Sequence, residues 1–382
     1  MSESNYLEKL LDGVEVEWVT LGSIADICTG SSNRQDESDN GTYPFFVRSK
    51  NILKSDTFEF DEVAIVIPGE GGVGDIFHYV EGKYALHQRA YRISIQSNSL
   101  ITKFVYHFML SSFKQYILMK SVGATTISIR KPMLEGFQVP IPCPDQPEKS
   151  LAIQSEIVRI LDKFTALTAE LTAELTAELN IRKKQYNYYR DRLLSFEEGE
   201  VEWKTLGEVA VIGTGNHDTQ DAIEHGKYIF YARGREPLKL NVFDFDETAI
   251  ITAGDGAGVG KVFHYAKGKY ALHQRAYRIV PNAFMNPRFV YHYITAYFFT
   301  YIQKASVSSS VTSLRRPMFL KFPIPVPPSE EQARIVEILD KFDTLTNSIT
   351  EGLPRVIELR QKQYEYYRDL LFSFPKPDSV TN

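Results

Sequence analysis

Apolar residues recur along the chain with two different periods, and these separate strands from helices. Short β-branched or aromatic runs bounded by Gly or Pro predict strands over 63–67, 90–93 and 249–251. Aromatic residues at helical spacing predict helices over 101–120 and 286–304. Each half of the chain therefore predicts a globular part that mixes strands with a helix.

A longer helical pattern follows each globular part. From 154 to 196, apolar residues recur every three or four positions without Gly or Pro, which predicts one helix roughly 60 Å long. A helix of that length needs a partner in water, and the run over 331–374 is the obvious candidate. Gly352 and Pro354 interrupt this second run, so we expect a kink or break there, with Pro354 restarting the helix.

The two helical runs also predict a contact face. We expect the facing residues to be Leu161, Phe164, Leu171, Leu175, Tyr186, Tyr189, Leu339, Phe342, Tyr364 and Tyr367. The first run contains Thr-Ala-Glu-Leu three times in succession over 168–179. Good helix formers explain this composition but not its reiteration. One such unit changes the length of a helix by about 6 Å and keeps the leucines roughly aligned.

The chain also repeats itself at a period of almost half its length. The twelve residues from Gly82 to Ile93 recur letter for letter from Gly268 to Ile279, and other landmarks recur in the same order. So long a period indicates two whole domains rather than an array of small repeats. The offset falls from about 185 to 178 residues toward the back of the unit, which predicts a seven-residue longer loop near 145–150 in the first copy.

Composition narrows the class of protein. The net charge of −5 excludes a polycation, so nucleic-acid binding would need local basic faces. Cys28 and Cys143 have no counterparts in the second copy, and we interpret them as free thiols in a reducing compartment. No signal-peptide pattern and no membrane-length apolar stretch occurs, so we expect a soluble, cytoplasmic protein.

Catalytic and metal signals are weak. The turn over 254–260 lacks the spacing of a phosphate-binding loop, and a tight turn between strands is favoured. The paired histidines, expected to be packed or hydrogen bonded rather than metal ligands, are His78 and His264, His87 and His273, and His107 and His292. We predict no catalytic residue, no metal site and no cofactor on this chain.

Binding signals are stronger. The repeated block carries Gln and Arg, which can hold phosphates or base edges, although most of an identical block is expected to be shared scaffold. Ser/Thr-rich turns before paired cations predict phosphate contacts, and the divergent stretches over 31–54 and 216–239 would carry different sequence preferences. Solvated loop charge is the alternative for each. The DNA-binding candidates are Arg34, Arg48, Lys50, Gln88, Arg89, Thr125, Arg130, Lys131, Arg233, Arg235, Lys239, Gln274, Arg275, Ser309, Arg315 and Arg316.

The order of these landmarks, given twice, resembles the specificity (S) subunits of type I restriction-modification systems. The resemblance covers nearly the whole chain. In the first copy, the Glu331–Gln332 pair has only the separated Glu148 and Gln154 as counterparts. The motifs that carry the resemblance are 18–22 and 203–207, 123–126, 139–142 and 324–328, Ile-Leu-Asp-Lys-Phe at 160–164 and 338–342, and Lys-Gln-Tyr-x-Tyr-Tyr-Arg-Asp at 184–191 and 362–369.

The resemblance implies an α+β fold, with two similar target-recognition domains of mixed α/β structure separated by two long antiparallel helices that form a coiled-coil spacer with pseudo-twofold symmetry. The expected segments are a first target-recognition domain over 1–145, a central helix over 146–196, a second target-recognition domain over 197–328, a C-terminal helix over 329–374 and a flexible tail over 375–382.

The implied function is non-catalytic. Each domain would read one half of a bipartite site in double-stranded DNA, and the helices would set the spacer and dock two modification subunits. Those subunits would use S-adenosylmethionine and recruit restriction subunits. The likeness of the domains suggests a partly palindromic target. The alternative is a duplicated protein-binding scaffold without DNA recognition, which the negative net charge slightly favours.

Overall fold

The computed structural model describes residues 13–72, 74–120, 128–197, 199–305, 313–347 and 351–375. They belong to two compact units. The first unit combines the chain up to residue 174 with the chain from residue 357 onward, and the second comprises 175–356. Each unit contains one globular domain, so the repeat in the sequence is a repeat of the fold.

The first domain is built on a six-stranded mixed sheet. Its strands and the two that flank it are β1 (Val16–Thr20), β2 (Ala25–Thr29), β3 (Tyr43–Phe46), β4 (Leu53–Ser55), β5 (Phe60–Pro68), β6 (His78–Leu86), β7 (Ala90–Ile95) and β8 (Gln138–Pro142). The sheet order is β2-β7-β5-β6-β3-β4, in which β3 and β6 are parallel and the other neighbours antiparallel. Strands β1 and β8 form a separate antiparallel pair.

Three helices accompany this sheet: α1 (Leu21–Ile24), α2 (Thr102–Lys120) and α3 (Lys131–Glu135). Helix α2 contributes Phe104, Phe108 and Phe113 to the same core as Ile65 and Ile93 of the sheet. All five side chains are almost fully buried, so the aromatic spacing that predicted the helix is its core-facing stripe. The predicted strands at 63–67 and 90–93 are confirmed within β5 and β7.

Helix α4 (Pro147–Leu193) is a single helix of 47 residues, about 70 Å long at 1.5 Å per residue. It begins seven residues before the apolar pattern that starts at 154, and one residue after the start of the central segment expected over 146–196. The prediction of a long loop over 145–150 is therefore wrong for residues 147–150, which form the first turn. Proline suits this start because its φ angle matches the helix and the first turn needs no N–H donor.

The second domain repeats the topology of the first. It contains β9 (Glu202–Thr205), β10 (Ala210–Thr214), β11 (Tyr228–Tyr231), β12 (Leu238–Leu240), β13 (Phe245–Ala253), β14 (Phe263–Leu272), β15 (Ala276–Pro281) and β16 (Pro323–Val326), with helices α5 (Leu206–Val209), α6 (Pro287–Ala305) and α7 (Arg316–Leu320). The sheet order β10-β15-β13-β14-β11-β12 matches the first domain strand for strand, and β9 pairs with β16. The predicted strand at 249–251 lies within β13, and the helix predicted over 286–304 is α6.

The prolines near 140 and 325 lie within paired strands. Pro140 pairs with Trp18 across β8 and β1, and Pro325 pairs with Trp203 across β16 and β9. A two-stranded sheet consists of edge strands only, so a residue without a backbone donor is tolerated there.

The C-terminal helical run is broken as predicted. Helix α8 (Ser329–Asn347) ends before the interruption, and α9 (Gly352–Leu371) begins two residues before Pro354. Gly352 has a φ of +81°, and a Cβ there would lie 2.5 Å from the Thr344 carbonyl oxygen. Only glycine suits this position, so the break is fixed by the local sequence.

The central helix packs against the C-terminal helices in both units. In the first unit, Phe164 near the start of α4 stacks on Tyr367 near the end of α9, with ring centroids 5.6 Å apart. In the second unit, Tyr189 near the end of α4 stacks on Phe342 of α8 at 5.5 Å. The helices run antiparallel within each unit, which confirms the predicted pairing. Of the other expected facing residues, Leu161 and Leu339 are fully buried, and Leu171, Leu175, Tyr186 and Tyr364 are partly buried.

A buried histidine of each domain hydrogen bonds to a long helix, α4 in the first domain and α8 in the second. His107 of α2 hydrogen bonds to Asp162 of α4 at 2.9 Å, and His292 of α6 hydrogen bonds to Asp340 of α8 at 2.7 Å. Both aspartates belong to the Ile-Leu-Asp-Lys-Phe motif. The motif therefore combines an aromatic contact to the opposing helix with a polar contact to the domain.

A buried glutamine makes a second anchor. Gln154 accepts from the Ile101 N–H at 2.9 Å and donates to the Ser99 carbonyl at 2.8 Å. Gln332 accepts from the Asn286 N–H at 2.7 Å and donates to the Phe284 carbonyl. Gln154 is thus the structural counterpart of Gln332, although the sequence motif around it differs.

The segment that follows each helix pair enters a domain core. Phe372 and Phe374 pack with Phe104 in the first core, and Leu194 packs in the second. The Trp18 indole N–H donates to the Pro375 carbonyl at 3.0 Å, so the expected tail is held at its first residue. Residues 376–382 lie outside the described part. Within the described ranges, no helix is long and apolar enough to cross a membrane.

Candidate nucleic-acid interface

Two exposed arginines converge on one carboxylate in the first domain. Arg48 follows β3, Arg89 lies in the turn between β6 and β7, and Glu70 follows β5. Arg89 donates to Glu70 Oε1 at 2.8 Å, and Arg48 donates to the same oxygen. The Arg89 side chain is 60% exposed, so the guanidinium is held in place but open to solvent. We call these three residues the first arginine cluster.

The second domain contains the same arrangement. Arg233 donates to Asp255 Oδ1 at 2.9 Å, and Arg275 donates to Asp255 Oδ2 at 3.1 Å. The Arg275 side chain is 63% exposed. We call Arg233, Asp255 and Arg275 the second arginine cluster. Arg48 and Arg233 thus occupy equivalent positions, although they lie in stretches that the sequence marked as divergent.

The electrostatics of the two clusters leave one positive charge in excess in each. Hydrogen bonding and charge interaction with Arg89, together with Arg48, lower the pKa of Glu70. Partial burial raises the pKa of Asp255, but the hydrogen bonds and charges of Arg233 and Arg275 outweigh this and lower it. Both carboxyls are therefore ionised at neutral pH. Two guanidiniums facing one carboxylate can bind a further anion, such as a DNA phosphate.

A shallow cleft of about 540 Å³ extends the second cluster. Arg233, Arg235, Asp255 and Lys261 line it, together with the glycine turn at 256–258. The cleft thus has three cationic side chains, Arg233, Arg235 and Lys261, beside the backbone of the glycine turn. Such a surface suits a chain of phosphates better than an apolar ligand.

The repeated block is mostly scaffold. Tyr84, Leu86, Ala90 and Ile93 are fully buried, and their counterparts in the second domain are equally so. The exposed exceptions are Lys83 and Lys269 on the strands, and Gln88 with Arg89 and Gln274 with Arg275 at the tips of the two turns. The arginines of the block at Arg92 and Arg278 are internal: Arg92 pairs with Asp26 and Glu62, and Arg278 pairs with Glu247. They are not available to a ligand.

All six of the paired histidines are hydrogen bonded. In addition to the anchors at His107 and His292, the ring Nδ1 atoms of His87 and His273 accept from the backbone N–H groups of Arg89 and Arg275. His78 and His264 bond to the Ser49 and Gly234 carbonyls. This agrees with the interpretation of packed histidines. Among the described residues, no group of three His, Cys, Asp or Glu side chains could hold a metal ion.

The paired cations lie at the start of the short helices α3 and α7. Arg130 and Arg315 are the residues that precede α3 and α7, and both are exposed, as are Lys131 and Arg316. Ser128 forms a backbone bridge with Glu70, and Ser313 forms one with Asp255. Ser128 and Ser313, the first described residues after the Ser/Thr-rich turns, are therefore in direct backbone contact with the two clusters. Thr125 and Ser309, the candidates within those turns, lie outside the described residues.

The remaining candidates are scattered. The Arg34 side chain is 84% exposed and forms a loose ion pair with Glu37 at 3.8 Å. Lys50 and Arg235 are exposed in the loops after β3 and β11, near Arg48 and Arg233, whereas Lys239 is exposed on the edge strand β12. The structure brings Arg48, Arg89, Arg233 and Arg275 into the two arginine clusters, and Arg34 and Lys239 lie outside them.

Glu70 and Asp255 are the site residues that sequence reasoning missed. Each is an acid at the start of the glycine turn, 185 residues apart, which is the offset of the surrounding repeat. Aligning the two turns at this offset would have found the shared carboxylate and, at the same offset, the shared arginines at 48 and 233.

Two segments of the chain, 13–180 and 198–359, match the family described as the type I restriction modification DNA specificity domain. These segments cover most of the chain, and the chain therefore belongs to this family. It is a non-catalytic DNA sequence-specificity subunit with two target-recognition domains, and the catalytic activity of such systems lies in partner subunits. The alternative of a scaffold without DNA recognition is not supported.

Individual relatives are similar to this chain along all or most of its length. The chain is 41% identical to the EcoR124I/EcoR124II specificity subunit of Escherichia coli, with both chains fully covered. It is 36% identical to the EcoprrI specificity subunit of Escherichia coli, covering 92% of this chain and 93% of the relative. The crystal structure of the S subunit from M. genitalium matches with a TM-score of 0.56 and 18% identity, covering 96% of this chain and 98% of that one, which shows a shared fold.

Proposed function

We propose that this chain binds a bipartite site in double-stranded DNA and assembles with two modification subunits and, through them, with restriction subunits. The observation that carries the DNA part is the pair of arginine clusters at equivalent positions in the two domains. Each domain offers one exposed, oriented guanidinium pair, which suits one half-site. We further propose the cytoplasm as the compartment, because the relatives are subunits of Escherichia coli restriction enzymes and a bacterial cell keeps its DNA there.

The helices supply the second part of the proposal. Helix α4 is continuous from Pro147 to Leu193 and passes from the first unit into the second. Because it contains the three Thr-Ala-Glu-Leu units, its length is a sequence-encoded property that can set the spacer between half-sites. The exposed aromatic residues Tyr188 and Tyr366, at equivalent places on α4 and α9, are suitable contacts for modification subunits.

The chemistry is assigned to the partners. We propose that modification subunits bind S-adenosylmethionine and methylate adenine, and that this chain only selects where they act. The likeness of the two domains supports a partly palindromic, interrupted target, because equivalent side chains in the two clusters would read related half-sites.

Sequencing of methylated DNA tests the proposal. The full chain is expressed with type I modification subunits in a host without other adenine methylation, and methylated motifs are mapped. We expect a single bipartite motif with a fixed spacer and related half-sites. A chain without modification subunits is the control and should leave the DNA unmethylated. Two unrelated half-sites would contradict the palindromic part, and methylation without a bipartite motif would contradict the function.

A further inference from the structure

An exposed glutamine lies beside each arginine cluster, and its side chain hydrogen bonds to a different type of residue in each domain. Gln88 donates its side-chain amide to Asn33 Oδ1, and Gln274 donates to Asp218 Oδ2 at 3.0 Å. Both glutamines directly precede the arginine of the cluster. The two pairs are equivalent in place and different in chemistry.

The backbone around the two pairs is the same. The Gln88 N–H donates to the Ser32 carbonyl and the Gln274 N–H donates to the His217 carbonyl, each at 2.9 Å. The Asn33 and Asp218 N–H groups are capped three residues on by Asp36 and Asp221. These contacts fix the conformation of the loop without the glutamine side chain. The hydrogen bond from Gln88 to Asn33, or from Gln274 to Asp218, is therefore not needed for that purpose.

Glycines allow the loop that carries Asn33 or Asp218 to approach the backbone of the strand before the glutamine closely. A Cβ at Gly30 would lie 1.9 Å from the Leu86 carbonyl oxygen, and one at Gly215 would lie 1.8 Å from that of Leu272. No other residue fits at such a distance. The closeness fixes positions 33 and 218 beside the glutamine and arginine at the surface.

The free polar groups of the two pairs differ. In the first domain, Gln88 has spent a donor on Asn33, which leaves the Gln88 oxygen as acceptor and the Asn33 amide as donor. In the second domain, Asp218 offers only acceptors, and the hydrogen bonds from Gln274 and from the Gln220 N–H lower its pKa, so it stays ionised. Its side chain is 46% exposed and accessible to a ligand.

These groups match different bases. Adenine shows an acceptor and a donor in the major groove, which an amide pair can satisfy together, whereas cytosine shows an amino donor, which a carboxylate accepts. The neighbouring arginines can hold the phosphates and so position the pair on the base edges.

We propose that Gln88 with Asn33 and Gln274 with Asp218 are base-reading pairs, and that the first selects adenine and the second cytosine at corresponding positions of the two half-sites. This inference rests on the proposed bipartite DNA recognition. It adds the place where the two half-sites differ and the residue that causes the difference.

Reciprocal substitution tests it, because each domain supplies the residue of the other. The full chain, assembled with type I modification subunits, selects sites from a randomised duplex library as wild type, Asn33→Asp or Asp218→Asn. Positions 33 and 218 each precede a short 3-10 helix, Arg34–Asp36 and Thr219–Asp221. Asp and Asn are both favoured at such a position, so both variants should fold, which thermal melting checks. Asn40→Asp, an exposed turn residue of the first domain, is the control with the same charge change.

We expect Asn33→Asp to shift one position of the first half-site from adenine toward cytosine by about 5- to 150-fold. The second half-site should stay unchanged, and Asp218→Asn should produce the converse. If wild type selects a bipartite site and both variants select the same one, or lose affinity evenly for all sequences, the inference is wrong and the function stands. If wild type selects no bipartite site, the proposed function itself is wrong.

Discussion

The two domains place an arginine at the same position in the sheet, largely shielded from solvent, and provide different hydrogen-bond partners for it. Arg92 donates to Asp26, to Glu62 and to the Cys28 sulfur. Arg278 donates to Glu247 at 2.7 Å, and its Nε is buried without a hydrogen-bond partner among the described residues. Val211 and Gly213 stand where the first domain has Asp26 and Cys28. Both guanidiniums also lie over a phenylalanine ring, Phe60 or Phe245.

This difference shows where the duplicated fold tolerates change. The altered residues lie on β2 and β10 and in the segments that follow them. Both strands are sheet edges, so each has only one neighbouring strand to fit. The same segments carry Asn33 and Asp218, whereas the arginine clusters and helix anchors are kept in both domains. An edge strand and the segment after it can therefore change while the neighbouring arginine pairs and the helix anchors are kept.

The largest effect should come from the central helix, which alone carries the Thr-Ala-Glu-Leu units. Deleting residues 172–175 shortens α4 by about 6 Å and turns its end by about 40° beyond a full turn. We expect the original target to be lost and replaced by one with the same half-sites and a spacer about one to two base pairs shorter. Mapping of methylated motifs measures this.

Thr172→Ala keeps the length of the helix and serves as its control. The spacer should be unaltered in this variant. A changed half-site in the deletion variant would contradict the role of α4 in setting the spacer.

Removing either arginine pair should weaken DNA binding to the same extent. Arg48→Ala with Arg89→Ala, or Arg233→Ala with Arg275→Ala, should lower affinity on the order of 10- to 100-fold at 0.1 M salt, because each phosphate contact releases counterions. The slope of log affinity against log salt should fall by about 2. Lys163→Ala with Lys183→Ala removes the same charge from α4 and should change the slope less. An unchanged slope in either arginine variant would show that its cluster does not contact phosphate.

The helix anchors should differ in strength. Asp340 accepts from His292 and twice from Arg288, whereas Asp162 accepts from His107 and pairs with the half-exposed Lys103. We expect Asp340→Ala to cost the second unit about 2–3 kcal/mol, and Asp162→Ala to cost the first about 1–2 kcal/mol, since hydrogen bonds to charged groups are each worth about 1.5–3 kcal/mol before solvent screening. Urea unfolding measures both.

Asp61→Ala and Asp246→Ala change exposed aspartates at equivalent places and are the matched controls. Equal losses for the two anchors would show that Arg288 adds nothing to the second one.

The smallest effect concerns pH. Burial lowers the pKa of His78 and of His264, although their hydrogen bonds to backbone carbonyls oppose this. The unfolded chain therefore takes up protons first as the pH falls through about 6.5, and stability decreases from there down to the folded pKa. We expect each histidine to contribute less than about 1 kcal/mol between pH 7.5 and 5.5. His264→Gln should flatten this dependence in urea unfolding. Stability that rises over the same interval would contradict the assignment.

The sequence predicted most of the regular structure, because strands, aromatic helices and long helices each have a distinct period of apolar residues. It also found Arg89 and Arg275, since the repeated block fixes the register of the two copies. Glu70 was missed because a single acid beside glycines has no periodic signal, and its role depends on two arginines that are distant in sequence. Gln154 was named as a counterpart of the Glu331–Gln332 pair, but its anchoring role was not foreseen, because it depends on backbone groups of residues 99 and 101 that are distant in sequence.

The stacked rings between the helices connect the two copies of the repeat. Phe164 from the first copy meets Tyr367 from the second, and Phe342 from the second meets Tyr189 from the first. Each motif thus contacts the other copy's motif rather than its own, as residues do across the self-complementary interface of a homodimer. One half of the chain therefore carries both sides of this helix contact. One reading domain can be exchanged for another without altering the contact, because the stacked rings lie on the helices and not in the sheets.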